Sequence, residues 1–203
     1  MILPNQLTVL RIILTPFVVF FMLGEGNYFE EIALVIYVVA ALTDWYDGWL
    51  AKKFNYFTKW GKVWDPIADK ILTAATMLSL VYLHVIPLLP VLVILLRDIF
   101  MTGFRSYAEH IHKPFPTSRY AKIKTFIEMV YLNFVLIAYL LSRSSVLAEN
   151  VREFFGMLLL EEVVFWGLII VMIITVHSAY IYVKDNFHLF KDLMGSKNDQ
   201  SGS

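Results

Sequence analysis

Six runs of near-continuous Leu, Ile, Val, Phe and Met decide most of what this chain can fold into. They cover Leu7 to Leu23, Phe29 to Leu50, Ile67 to Leu83, Leu88 to Tyr107, Ile123 to Leu141 and Val163 to Val183. Each approaches the roughly 20 residues with which an α-helix crosses the hydrocarbon of a bilayer. Joined by short connections within 203 residues, they leave no room for a second domain. Residues 1–190 therefore read as one all-α integral membrane domain of six transmembrane helices, with no sheet. Residues 191–203, ending "GSKNDQSGS", read as a polar, disordered tail. The first run is followed by "GEGNYFEE" rather than a small-residue cleavage site, so it is expected to stay as the first membrane helix.

The connections differ in charge. Lys52, Lys53, Lys59 and Lys62 lie between the second and third runs, and Arg105, Lys113, Arg119, Lys122 and Lys124 between the fourth and fifth. Glu25, Glu30 and Glu31 follow the first run, and the connection after the fifth is mixed. Basic residues concentrate on the cytoplasmic side of membrane proteins, which puts both termini and both basic connections there. With 17 basic and 17 acidic residues the net charge is zero, and no nucleic acid partner is expected. Cysteine is absent, so thiolate metal sites and disulfides are excluded. Asn27 reads as the cap of the second helix, and "HVIPLLP" as a plain turn between the third and fourth.

Against this apolar background, "LTDWYDGWLAKKFNYFTKWGKVWDPIADK" carries four aspartates at spacings of three, eighteen and four residues. An unpaired carboxylate in hydrocarbon costs about 3 kcal/mol on insertion scales, so four of them need a ligand. Residues three and four apart share a helix face. Asp44 and Asp47 thus project together from the end of the second helix, with Gly48 leaving the backbone open to close approach. Gly61, Asp65 and Asp69 repeat every four residues on the third helix, which Pro66 suggests begins between Lys62 and Asp65. Four carboxylates together repel unless cations sit among them, and an all-oxygen set suits Mg²⁺ or Mn²⁺. Four can hold two such ions, as in two-metal phosphoryl transfer. Asp65, before Pro66, also suits a helix cap.

The stretch Asp44-x2-Asp47-Gly48-x2-Ala51-Lys52-x8-Gly61-x3-Asp65-x3-Asp69 resembles the signature of the CDP-alcohol phosphatidyltransferase family. Seven of its eight fixed positions agree with every spacing kept; Lys52 stands where the family has Arg. "LPNQLTVLRIILTP", "GKVWDPIADK", "LLRDIFMTGFRSYA" and "AKIKTFIEM" are similar to the branch that makes phosphatidylglycerophosphate, whose usual patterns have Glu where Asp98 stands and Gly where Ala121 stands. The likeness by motif spans Leu3 to Met129, and the last third is expected to match only in hydropathy.

The resemblance implies six helices around a polar cavity open to the cytoplasm, a homodimer, and transfer of a phosphatidyl group from CDP-diacylglycerol, itself a membrane lipid, to an alcohol. It implies Asp44, Asp47 and Asp65 as metal ligands, and Asp69 as general base in contact with the metal. Gly48, Ala51, Lys52 and Gly61 are implied against the CDP-diacylglycerol headgroup, with Asn5, Thr8 and Arg11 of the first helix closing over it. In the branch implied, the acceptor is glycerol 3-phosphate, a dianion that requires fixed positive charge. Arg97, Arg105, Arg119, Lys122 and Lys124 form the candidate clamp. Each is open to the plainer reading of loop charge that sets topology, and Arg97 to pairing with Asp98. Glu128 stands four residues after Lys124, to orient it or line the cavity. Phosphatidylglycerol, inositol phosphate and serine are alternative acceptors. A divalent-cation transporter is the distant alternative, though it would want carboxylates near the bilayer midplane.

Overall fold

The computed structural model describes residues 3–54, 59–110 and 119–185. The side chains of 3–7, 44–45, 47–52, 54, 59–66, 105–110 and 119 lie outside that description although their backbone is helical. Among the described residues the regular structure is helical throughout: α1 (Leu3–Leu23), α2 (Phe29–Phe54), α3 (Lys59–Tyr82), α4 (Leu88–His110), α5 (Arg119–Arg143), α6 (Glu149–Leu158) and α7 (Glu161–Asp185). Six long helices coincide with the six apolar runs. By length and composition, two described segments are long and apolar enough to cross a membrane, Tyr120–Arg143 and Glu161–Asp185.

Three local expectations are corrected. Helix α3 starts at Lys59, not between Lys62 and Asp65, so Pro66 lies inside it. A proline there leaves the carbonyl of Lys62 without its usual donor, and the flanking turns carry the helix past it. Tyr28, at φ 67°, precedes α2, so the cap position falls there rather than on Asn27. The Phe29 ring turns back against Phe21, with centroids 5.1 Å apart, and this fixes the entry angle of the chain. Finally, α6 is an additional short helix between the fifth and sixth apolar runs. The turn after α3 is as expected: Val85 N–H donates to Leu80 and His84 N–H to Val81, with His84 left-handed at φ 58°. That is a Schellman cap.

The packing is inverted relative to a water-soluble domain. Leu89, Leu96, Phe126 and Trp166 are 77, 66, 68 and 61% exposed, whereas Arg11, Lys124, Glu128 and Asp98 are at most 3% exposed. Such an apolar surface suits hydrocarbon as its solvent. The inward stripe of α7 shows how polarity is sorted. Val164, Leu168 and Val171 give way one turn at a time to Thr175, Ser178 and Tyr182. Facing helices do the same: Val91 and Ile94 of α4 precede Asp98, and on α5 Lys124 and Glu128 precede Leu132 and Val135. Because successive helices run in opposite directions, the buried polar groups collect at one end of the bundle. That end includes the start of α3, with its aspartates.

The other end is tied by a carboxylate. Glu31 Oε1 accepts from Ser144 Oγ at 2.6 Å, Ser145 N–H at 2.7 Å and Val146 N–H at 3.2 Å, joining the start of α2 to the connection after α5. Replacing Glu31 with Ala strands these donors, so we expect a loss of about 1–2 kcal/mol. The check is thermal unfolding in detergent; an unchanged midpoint would show that water replaces the carboxylate without cost.

Candidate active site

Helix α1 is the common support. Both α2 and α3 pack against it, which brings the aspartate-bearing segments to the same helix. Tyr37 and Ala41 of α2, Asp69 of α3 and Arg11 of α1 line one cavity of about 60 Å³, together with Asn133 of α5. Asp69 is half-buried there, Thr8 and Arg11 are buried, and the Tyr37 hydroxyl donates to Asn133 Oδ1 at 3.1 Å. Asp44 stands three residues beyond Ala41 on α2, and Asp65 four before Asp69 on α3. The backbone thus carries both aspartate pairs along helices that share this cavity.

The side chains of Asp44, Asp47 and Asp65 lie outside the described residues. So do those of Asn5, Lys52, Arg105 and Arg119, the surroundings of Gly48 and Gly61, and the side chain of Ala51. Asp69 tests the fit to a divalent ion: a half-buried carboxylate at the wall of a small cavity, on the helix that also carries Asp65. Oxygen donors in that setting suit Mg²⁺ or Mn²⁺.

A second constellation lies beside the first. Asp98 accepts from Lys70 Nζ at 2.5 Å, Lys124 Nζ at 2.6 Å and Arg97 Nη1 at 2.9 Å. Arg97 also donates from Nη2 to Ser178 Oγ at 3.0 Å, and Lys124 pairs with Glu128. Helices α3, α4 and α5 therefore meet on one carboxylate, and α7 joins them through Arg97. Breaking a buried pair of this kind by removing one partner typically costs about 3–5 kcal/mol, because the other charge stays behind.

Of the clamp residues expected from sequence, Arg97 and Lys124 come together here, and Arg97 takes the pairing with Asp98 that was open to it. Glu128 orients Lys124. Lys122, two residues from Lys124, is exposed on another side of α5. Sequence reasoning missed Lys70. The available signal was a lysine inside an apolar helix, directly after the last aspartate of the motif. It also missed Tyr37 and Asn133, which carry no sequence signal of partnership across 96 residues.

Comparison with known proteins bears on what the site is for. The profile of the CDP-alcohol phosphatidyltransferase family matches residues 1–176. The likeness therefore continues beyond Met129, and the last third shares more than hydropathy. A Rickettsia typhi protein named CDP-diacylglycerol–glycerol-3-phosphate 3-phosphatidyltransferase is 30% identical over 185 residues, 90% of this chain and 95% of its own length. Proteins of the same name from Bacillus subtilis and Shigella flexneri are 31% and 34% identical, over 66% and 73% of this chain and 76% and 81% of their own.

Proposed function

The chain belongs to the CDP-alcohol phosphatidyltransferase family, and from that membership we infer that it transfers the phosphatidyl group of CDP-diacylglycerol to glycerol 3-phosphate. The products are phosphatidylglycerophosphate and CMP, and the pathway served is phospholipid synthesis. The observation that carries this reading is the eight-position aspartate motif, seven positions of which are kept, inside a match that covers residues 1–176.

The donor's acyl chains stay in the bilayer, so its diphosphate lies at the interface, where the aspartate ends of α2 and α3 are placed in this reading. Asp44, Asp47, Asp65 and Asp69 would hold two Mg²⁺ or Mn²⁺ ions. When bound, such ions neutralise diphosphate oxygens and the departing CMP. Asp69 takes the proton from the acceptor hydroxyl as its oxygen attacks phosphorus. A new P–O bond forms to glycerol 3-phosphate, the diphosphate P–O bond breaks, and the electron pair leaves with CMP. Gly48, Ala51 and Gly61 give the cytidine close access to the backbone, Lys52 faces a phosphate, and Asn5, Thr8 and Arg11 cover the headgroup. On the acceptor side, Arg97, Arg105, Arg119, Lys122 and Lys124 supply positive charge for the phosphate.

Within this reading the six long helices all cross the membrane, with both termini, the polar cavity and the aspartates facing the cytoplasm. The alternation of basic and acidic connections supports that orientation. The family resemblance further implies a homodimer. The test is a panel of labelled acceptors, each supplied with CDP-diacylglycerol and Mg²⁺ to the purified protein in detergent. Label should enter lipid from glycerol 3-phosphate. Faster incorporation from serine, inositol phosphate or phosphatidylglycerol would reassign the acceptor.

A further inference from the structure

We propose that Asp98 is a positioning residue for the acceptor phosphate: it gathers Lys70, Arg97 and Lys124, from three helices, into one cationic cluster that selects phosphorylated alcohols. The inference rests on the glycerol 3-phosphate reading above and adds Lys70 to the acceptor side of the site.

A carboxylate that merely tied two helices together would need one cation. Asp98 has three, all within 2.9 Å; Glu128 pairs with Lys124, and the Asp69 carboxylate lies near enough to Lys70 to act on its charge. Among the described groups in direct ion pairs, three positive charges stand against two negative, a formal surplus of one that faces the space between Lys70 and Arg97. Asp98, Lys124 and Glu128 are nearly inaccessible to water, so that surplus is poorly screened. Donors also remain over. Each ammonium has three N–H groups and a guanidinium five, more than one carboxylate can accept. Arg97 Nε is buried with no hydrogen-bond partner among the described residues. A polar cavity of about 60 Å³ opens against the cluster, lined by Lys70, Arg97, Asp98, Thr102 and Thr125. The Thr102 hydroxyl and the surplus cationic donors around one small space form an anion subsite rather than a closed structural tie, while the Thr125 hydroxyl is spent on the Ala121 carbonyl.

Without the Asp98 carboxylate the three cations repel one another and lose their common focus. Asp98 stands at the cavity wall with its oxygens taken up by the three cations, and it acts on the phosphate through them. Lys70 gives the cluster its link to the chemistry, because it directly follows Asp69 on α3. Adjacent helical residues point about 100° apart. Asp69 looks into the cavity shared with Arg11 and Tyr37, whereas Lys70 looks toward Asp98. A phosphate held on the Lys70 side presents the acceptor's hydroxyl end toward the Asp69 side. An alcohol without a phosphate gains nothing from the cluster, which is the basis of the selection.

The test is steady-state kinetics of the full chain in detergent with both substrates varied. Asp98→Asn should raise KM for glycerol 3-phosphate about tenfold or more, with KM for CDP-diacylglycerol within about twofold. Asp98→Glu, which keeps the charge, should return KM for glycerol 3-phosphate to within about threefold of the parent. Equal rises in both KM values, no rise in either, or failure of Glu to restore would overturn the proposal. If the Asn variant does not fold, Lys70→Gln replaces it, since Asp98 then keeps two cations; the same one-sided rise is expected, and a symmetric or absent one refutes the role. If the parent protein labels lipid from another acceptor and not from glycerol 3-phosphate, the functional reading fails instead, a result independent of these variants.

Discussion

Asp69→Asn should release CMP at least about a thousandfold more slowly than the parent, which is within the range that a positioned base contributes. The substitution keeps the shape of the side chain and removes its ability to take a proton. Among the described residues that line this cavity, Asp69 is the one carboxylate, the group suited to that task. The variant should fold. Asp69 is only half-buried on the cavity wall, and Asp98 keeps its three ion pairs in the variant. Binding of CDP-diacylglycerol should survive, because the cytidine contacts are assigned to the glycines and Ala51. The measurement is CMP release with saturating substrates, alongside the thermal midpoint. Turnover within about tenfold of the parent, in folded protein, would remove Asp69 as base.

What the sequence reveals about this molecule follows the range of the interactions concerned. Apolar runs locate the long helices because burial and lipid exposure both favour the same residues, and α2 begins at Phe29 as its run does. Helix ends are less legible. Helix α5 extends from Arg119 to Arg143 beyond the run Ile123 to Leu141, because charged residues continue a helix without adding to its apolar signal. Helix α6 gives a weak signal, although Val151, Phe154, Phe155 and Leu158 repeat at helical spacing. A search tuned to spans of about 20 apolar residues does not detect a ten-residue amphipathic helix.

The site divides in the same way. The Lys124–Glu128 pair is visible as a spacing of four on one helix. The convergence of Lys70 and Lys124 on Asp98 is not, since it joins residues 28 and 26 positions apart through tertiary packing. Read along the chain, Lys124 is a loop cation near Lys122; in the bundle it is among the most buried side chains, and its neighbour is exposed. The aspartate motif is legible because its chemistry needs carboxylates at fixed spacings along the chain. The cluster around Asp98 needs only charges that meet in space.

Removing divalent ions should abolish the reaction and also change the protein itself. In the proposed site, four carboxylates from two helices that pack against a common third one would repel at close range, most strongly where water is excluded. Without counter-ions that repulsion would act on the aspartate-bearing segments of α2 and α3. Chelation is therefore expected to lower CMP release about a thousandfold or more, given the several kcal/mol that such ions contribute to charge stabilisation, with Mg²⁺ or Mn²⁺ restoring it. The thermal midpoint should rise when either ion is added without substrate. An ion present at a hundred times its dissociation constant stabilises the folded state by about 2.7 kcal/mol. Asp44→Asn removes a carboxylate and should shrink this midpoint shift, whereas Lys122→Gln, at an exposed position of α5, should leave it intact. Ions bound at a dedicated site and ions that merely screen surface charge differ in that contrast. Undiminished turnover after exhaustive chelation, or a midpoint shift that Asp44→Asn leaves untouched, would mean that the aspartates serve some other purpose than gripping metal.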